Sequence, residues 1–129
     1  SFTKKYSYYS DSSCSTSTGY IKYGYNNVSV GSALSGLSTG SSRPSSAYQV
    51  LYSKLNTIAK GETSTVVSYL NTLLGGTYTV NVELNNPASG TIYNIWATQI
   101  ISGTTWLYYG NESSSYPTDW QSYDDLSFK

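Results

Sequence analysis

The fold is decided by residues 45–105, which read SSAYQVLYSKLNTIAKGETSTVVSYLNTLLGGTYTVNVELNNPASGTIYNIWATQIISGTT. This stretch carries most of the long aliphatic side chains, whereas its flanks are rich in Tyr, Ser, Thr, Gly and Asn. Ser46 and Gln49 have the spacing of a helix capping box, and apolar residues follow at helical intervals. Residues 63–74 repeat that spacing and end at Gly75-Gly76. The first half of the stretch therefore predicts a helical hairpin, with a strand as the competing interpretation of the second helix because its first turn is β-branched.

The second half of the stretch predicts strands. Residues 77–84 alternate apolar and polar side chains, as a half-buried strand does. Residues 91–101 are apolar on both faces, which is typical of a central strand. Ser102-Gly103 is suited to a tight hairpin turn, so that residues 104–109 pair back.

Two more strands are expected before the hairpin. Residues 1–10 form a short aromatic run that suits an edge strand, and residues 20–30 alternate. The order strand, strand, helix, helix, three strands predicts an α+β fold, a mainly antiparallel sheet of about five strands with the helical hairpin packed on one face. An all-β sandwich is the alternative. We expect one domain over residues 1–129, with residues 1–18 and 111–129 as candidates for mobility.

Composition limits the partners. Seven basic and seven acidic residues cancel, and charged residues make up 11% of the chain. Without a net field of either sign, nucleic acid is not an expected partner. The sequence contains no apolar run of membrane-spanning length, so no membrane span is expected.

Composition also predicts an extracellular or cell-surface location. A surface of Ser, Thr, Asn, Tyr and Gly with little Lys and Glu suits a protein outside the cell. Asn27 and Asn111 each begin an N-x-[ST] sequon in a turn-rich context, which makes them candidate glycosylation sites.

Catalytic and metal-binding residue sets are scarce. The chain has no His and one Cys, which excludes imidazole bases, Cys–His nucleophiles and thiolate metal cages. We therefore expect a non-enzymatic protein with no metal and no cofactor. The remaining acid–base route is a carboxylate pair from Asp119, Asp124 and Asp125, which lie among aromatic residues as in sugar-cleaving clefts. The competing interpretation is a solvated tail.

Cys14 has three interpretations. It is a free thiol in a Ser-rich loop, or it joins two chains through an intermolecular disulfide. The third depends on Thr98-Gln99 and the downstream Trp106, which resemble the Thr-Gln…Trp segment of thioester domains on bacterial surface adhesins. The resemblance covers only these positions and implies a crosslink between Cys14 and Gln99 that reacts with host amines. The chain departs from that family at Gly103, where the family continues a helical segment, and at the residue before the Cys, which is aromatic in the family and Ser here.

The tyrosines carry the functional hypothesis. Tyr offers a large, stiff, amphipathic contact surface, and six of the fifteen cluster in the first two predicted strands: Tyr6, Tyr8, Tyr9, Tyr20, Tyr23 and Tyr25. Core packing and cross-strand pairing are the competing roles for these side chains. We expect a surface or filament (pilus-like) structural or adhesion subunit that self-associates through these strands or meets a cell-surface glycan. The alternative is a monomeric secreted binding domain, either carbohydrate-binding or a toxin-like effector.

Overall fold

A computed structural model describes residues 1–38 and 43–120 and the strand at 127–128. The elements in chain order are β1 (Phe2–Tyr9), β2 (Ser17–Ser35), β3 (Ser46–Gly61), α1 (Ser64–Leu74), β4 (Glu83–Pro87), β5 (Thr91–Ile101), β6 (Thr104–Tyr109) and β7 (Ser127–Phe128). The strands follow the order β1-β2-β3-β5-β6-β7, and β4 also pairs with β3. The pairs β1–β2, β3–β4, β3–β5, β5–β6 and β6–β7 are antiparallel.

The chain separates into two compact units. Unit 1 comprises Ser1–Asn26 and Lys54–Ser89, and unit 2 comprises Asn27–Ser53 and Gly90–Lys129. The long strands β2 and β3 therefore each contribute residues to both units. The expectation of a single domain stays a prediction.

Unit 1 has a core formed by the first half of β2, the second half of β3 and α1. Its buried members are Ile21, Ala59, Val67, Leu70 and Tyr78. The helix begins after Thr63, whose side chain accepts a hydrogen bond from the Val66 amide, and it ends at Gly75 in the left-handed region with φ 66°. The predicted second helix of the hairpin is thus confirmed, and the competing interpretation of this segment as a strand is wrong. The fold is mostly antiparallel sheet with this one short helix among the described residues, roughly α+β or mainly β.

Unit 2 has its own core between the first half of β3 and the hairpin of β5 and β6. Its buried members are Leu37, Ala47, Ile95, Ala97, Tyr108 and Trp120. The predicted hairpin is confirmed, because β6 pairs back along β5. Ser102 and Gly103 adopt φ 51° and 78°, and a type I′ turn requires positive φ at both of its central residues.

The predicted first helix is wrong, because residues 46–61 form β3 and the fold has no helical hairpin. Tyr48 and Leu55 are two of the apolar residues whose spacing suggested a helix, and they are 55% and 48% exposed. Val50 and Tyr52, at alternating positions, are buried as a strand requires. β3 pairs with β5 from Tyr48 to Ser53 and with β4 from Asn56 to Lys60. The local pattern of apolar residues fits both the helical period of about 3.6 residues and the strand period of about two, and pairing with distant strands decides for the strand.

The predicted strand over residues 77–84 is largely replaced by irregular chain. Asn71 fixes Tyr78 by accepting a hydrogen bond from its amide at 2.6 Å, and Asn81 turns the backbone with φ 64°. β4 begins only at Glu83. In the described part of the chain, no helix is long and apolar enough to span a bilayer.

Candidate functional site

The first candidate surface is the β1 edge, which we define as the outer main-chain side of Phe2–Tyr9. β1 pairs with β2 along its whole length, from Phe2 opposite Tyr25 to Tyr9 opposite Ser17. Within residues 1–38, 43–120 and 127–128, β2 is the only strand beside it. One row of β1 amide and carbonyl groups therefore faces away from the sheet. Such a row is a template for another strand.

One face of β1 carries ring contacts. Phe2 stacks on Tyr25 with ring centroids 4.7 Å apart, and Tyr8 meets Tyr69 of α1 edge-on at 5.5 Å. Burial and the neighbouring Tyr69 hydroxyl raise the pKa of Tyr8 to about 12. Tyr6 meets Tyr23 edge-on at 6.0 Å. These contacts hold β1 against β2 and α1 within unit 1.

The opposite face of β1 carries compensated charge. Lys5 and Lys22 lie directly across from each other, and both ammonium groups sit over the Tyr20 ring, at 5.3 and 4.6 Å from its centroid. The Tyr20 hydroxyl donates to the Glu83 carboxylate. The Tyr20 ring and the Glu83 carboxylate bonded to its hydroxyl thus both compensate the two positive charges.

The six predicted tyrosines all lie in unit 1, but they differ in access to solvent. Tyr6 and Tyr9 are 39% and 42% exposed, whereas Tyr25 is 3% exposed and belongs to the interior. The other three, Tyr8, Tyr20 and Tyr23, are half-buried. A partner can therefore reach Tyr6 and Tyr9 most directly.

The turn between β1 and β2 carries Cys14. The Asp11 carboxylate accepts hydrogen bonds from the amides of Ser15 and Thr16 at 3.1 and 2.7 Å and from the Ser13 hydroxyl, and these bonds hold its pKa well below its usual range. Cys14 is exposed with φ 55°. The thiol thus stands at the tip of a turn in unit 1.

The second candidate surface is a groove in unit 2 with a volume of about 310 Å³. Its lining comprises Val30, Ala33, Leu34, Pro44, Ser46, Ala47, Tyr48, Val50, Trp96, Ala97, Thr98 and Leu107. Tyr48 and Trp96 are directly opposite each other on β3 and β5, so their side chains share a face of the sheet.

A buried chain of hydrogen bonds lies beside the groove. Asn94, fully buried, donates to the Tyr52 hydroxyl at 3.1 Å and to the Gly110 carbonyl at 2.8 Å. The hydroxyls of Tyr52 and Tyr109 are bonded to each other, and Tyr109 donates to the Glu112 carboxylate at 3.0 Å. Burial raises the pKa of Tyr52 to about 12. These hydrogen bonds satisfy buried polar groups, which would otherwise cost free energy in a core.

The remaining predicted site residues in the described part of the chain belong to unit 2. Gln99 is exposed on β5 in unit 2, and the sequon residues Asn27 and Asn111 are both exposed. The Asp119 carboxylate accepts hydrogen bonds from the Ser38 hydroxyl at 2.5 Å and amide at 2.8 Å, which lower its pKa.

The structure therefore gives Asp119 a local bracing role. The other two members of the predicted carboxylate set, Asp124 and Asp125, lie outside the described residues. No group of three or more His, Cys, Asp or Glu side chains suited to a metal ion occurs among the residues described.

Comparison with known proteins gives no family. No protein-family model matches the chain, and no curated protein matches it. The two candidate surfaces are therefore the basis for a proposed function.

Proposed function

We propose that the chain is an extracellular, non-enzymatic surface or filament subunit that assembles through its Tyr-rich strands. The observation that carries the proposal is the β1 edge, at one end of the strand order, with Tyr6 and Tyr9 exposed beside it. An edge strand gains main-chain hydrogen bonds when a second strand is added, and its side chains set the register. The occupant we propose is β1 of a second copy.

Symmetry limits the ways in which two β1 strands can pair. In an antiparallel pair related by a two-fold axis, the axis is perpendicular to the sheet, so each face continues into the same face of the partner. Residues directly opposite each other share a face. The numbers of opposed residues therefore add up to an even sum. The two longest overlaps are centred on Lys5 and on Tyr6.

Charge selects between these two registers. The register centred on Lys5 places the two Lys5 side chains directly opposite each other, which is destabilising. The register centred on Tyr6 places Tyr6 opposite Tyr6, Lys5 opposite Ser7 and Lys4 opposite Tyr8. Lysine over a tyrosine ring already occurs within the chain, where the Lys4 ammonium lies 5.4 Å from the Tyr6 centroid. We therefore propose the register centred on Tyr6.

The lysines of β1 also need an explanation, because lysine on an edge strand usually discourages pairing. In the proposed register neither Lys4 nor Lys5 meets another lysine directly. Edge lysines then favour one register over its neighbours and need not prevent assembly. A single two-fold contact closes a dimer, so a filament requires a second contact elsewhere on the chain.

Cysteine crosslinking tests both the edge and the register. Tyr6→Cys and the matched control Ser7→Cys, which keeps both lysines, are made separately in a Cys14→Ser background and oxidised mildly. Opposed residues lie about 4.5–5.5 Å apart between Cα atoms, within reach of a disulfide. We expect Tyr6→Cys to give covalent dimers at least tenfold faster than Ser7→Cys, because residue 7 lies opposite Lys5 of the second copy and not opposite itself.

The outcomes separate the register from the assembly itself. Faster crosslinking of Ser7→Cys would refute the register and keep the edge. Monomers in sedimentation, with no crosslinking at either position, would refute assembly through β1. Large polymers without crosslinks would move the interface to another surface.

A charge exchange gives an independent test in the chain without new cysteines. Ser7→Lys places a second lysine opposite Lys5 of the partner, and we expect self-association to weaken at least tenfold in sedimentation. Adding Lys5→Glu to Ser7→Lys converts each repulsive pair into an attractive one and should restore association. Equal association of the three proteins would exclude this pairing.

A further inference from the structure

The groove in unit 2 has the size of a small-molecule site. Its volume of about 310 Å³ lies at the lower end of the range of about 300–1,000 Å³ for ligand pockets. At about 30 Å³ for each water molecule, it matches about ten waters or a similar number of non-hydrogen ligand atoms. This space suits a compact small molecule.

Among the residues that the structure describes, none of those lining the groove carries a charged side chain. Aliphatic surface comes from Val30, Leu34, Pro44 and Leu107. The side-chain polar groups of the described lining are three hydroxyls and the indole N–H of Trp96. Val30 is 63% exposed, so an apolar side chain at the groove is left in water. Covering such surface is favourable by about 25 cal/mol per Å².

The aromatic part of the groove is held in place by the core behind it. The Trp96 ring packs against the Tyr52 ring at 5.7 Å and the Tyr109 ring at 5.6 Å between centroids. The hydroxyls of both tyrosines belong to the buried hydrogen-bond chain that includes Asn94. A wall that is already ordered loses little conformational entropy on binding.

We propose that this groove binds an uncharged, largely apolar small molecule of about ten non-hydrogen atoms. A charged ligand would lose hydration without meeting an opposite charge. A sugar carries more hydroxyls than Ser46, Tyr48 and Thr98 can satisfy, and each buried unpaired hydroxyl is costly. Apolar surface against Trp96 and Val30 carries no such cost.

The proposed binding is separate from assembly, because the groove lies wholly in unit 2 and β1 wholly in unit 1. Either activity can therefore fail while the other stands. It also gives the exposed ring of Tyr48 a role beyond strand pairing.

The test is a titration of the ¹⁵N-labelled protein with 1-octanol, followed through the indole N–H signal of Trp96. Methyl β-glucopyranoside serves as the sugar probe at the same concentrations. Val30→Asp brings a charge into the groove at an exposed position. Val28→Asp is the matched control, since Val28 is exposed on the same strand and does not line the groove.

We expect 1-octanol to shift the Trp96 signal saturably and the glucoside to leave it unchanged. Val30→Asp should weaken octanol binding at least tenfold, and Val28→Asp less than twofold. A second groove variant, Tyr48→Ser, should also weaken binding. Binding of the glucoside alone, absence of any saturable shift, or equal effects of the two Asp variants would each overturn the proposal.

Discussion

In unit 1 most tyrosines of β1 and β2 meet other rings or lysines near the surface, with Tyr25 as the buried exception. In unit 2, Tyr52 and Tyr109 lie in the core with their hydroxyls hydrogen-bonded to each other. Tyr20 of unit 1 receives two ammonium groups over its ring. Tyr52 is fully buried, and its hydroxyl is bonded to Asn94 and Tyr109.

The difference lies in what satisfies the hydroxyl. A surface tyrosine can use water, so its ring is available for lysines, for other rings or for a second copy of the chain. A buried tyrosine needs a protein partner for its hydroxyl, and that partner then becomes indispensable. The two units should therefore respond differently to the removal of polar groups.

The largest loss of stability is expected from Asn94→Leu. The substitution removes the donors to Tyr52 and Gly110 and leaves both buried acceptors without that partner. We expect the free energy of unfolding to fall by about 3 kcal/mol, measured by urea denaturation.

Gln99→Leu is the matched control, because it removes an amide from an exposed position of the same strand. Its effect should stay within about 0.5 kcal/mol. Equal decreases in the free energy of unfolding for the two variants would show that the buried chain of hydrogen bonds contributes little to stability. The proposed difference between the two units would then be wrong.

A smaller decrease in the free energy of unfolding is expected at alkaline pH. Burial raises the pKa of Tyr52 to about 12, against 10.0 for an ordinary tyrosine. Between these values the unfolded chain has lost the proton that the folded chain keeps. The stabilisation is therefore complete below pH 10 and is lost as the pH rises towards 12, by about 2 kcal/mol.

The measurement is the free energy of unfolding between pH 9 and 12 for the parent protein, Tyr52→Phe and Tyr8→Phe. Tyr52→Phe should flatten the alkaline decline more than Tyr8→Phe, because Tyr8 is only half-buried even though its pKa is also raised to about 12. A larger flattening with Tyr8→Phe would place the more strongly buried hydroxyl in unit 1.

How far the sequence predicts this contrast depends on the range of the interactions. The sequence predicts α1 with its end at Gly75 and the hairpin at Ser102, because each depends on neighbouring residues. It also predicts β1 as a strand from its run of aromatic residues. β3 is mistaken for a helix, because its apolar residues fit two periods and only pairing with β4 and β5 decides between them.

The buried chain of hydrogen bonds is missed for the same reason. Asn94 lies 42 residues from Tyr52, and Tyr52 lies 57 from Tyr109, so no local pattern links them. One signal exists: Asn94 interrupts a stretch that is apolar on both faces, and a polar residue there requires partners. The groove gives no comparable signal, because its lining comes from four strands and a loop.

The smallest effect is expected at the ring pair of unit 1. Tyr8 and Tyr69 meet edge-on at 5.5 Å, and Tyr69 is 48% exposed. A double-mutant cycle with Tyr8→Ala and Tyr69→Ala should give a coupling free energy of about 0.5 kcal/mol, at the low end for aromatic pairs because water reaches one ring. The same cycle with Tyr9→Ala, on the opposite face of β1, should give coupling near zero. Similar coupling in both cycles would mean that the contact between the two rings adds nothing specific, and that β1 is held in unit 1 by its main-chain pairing with β2.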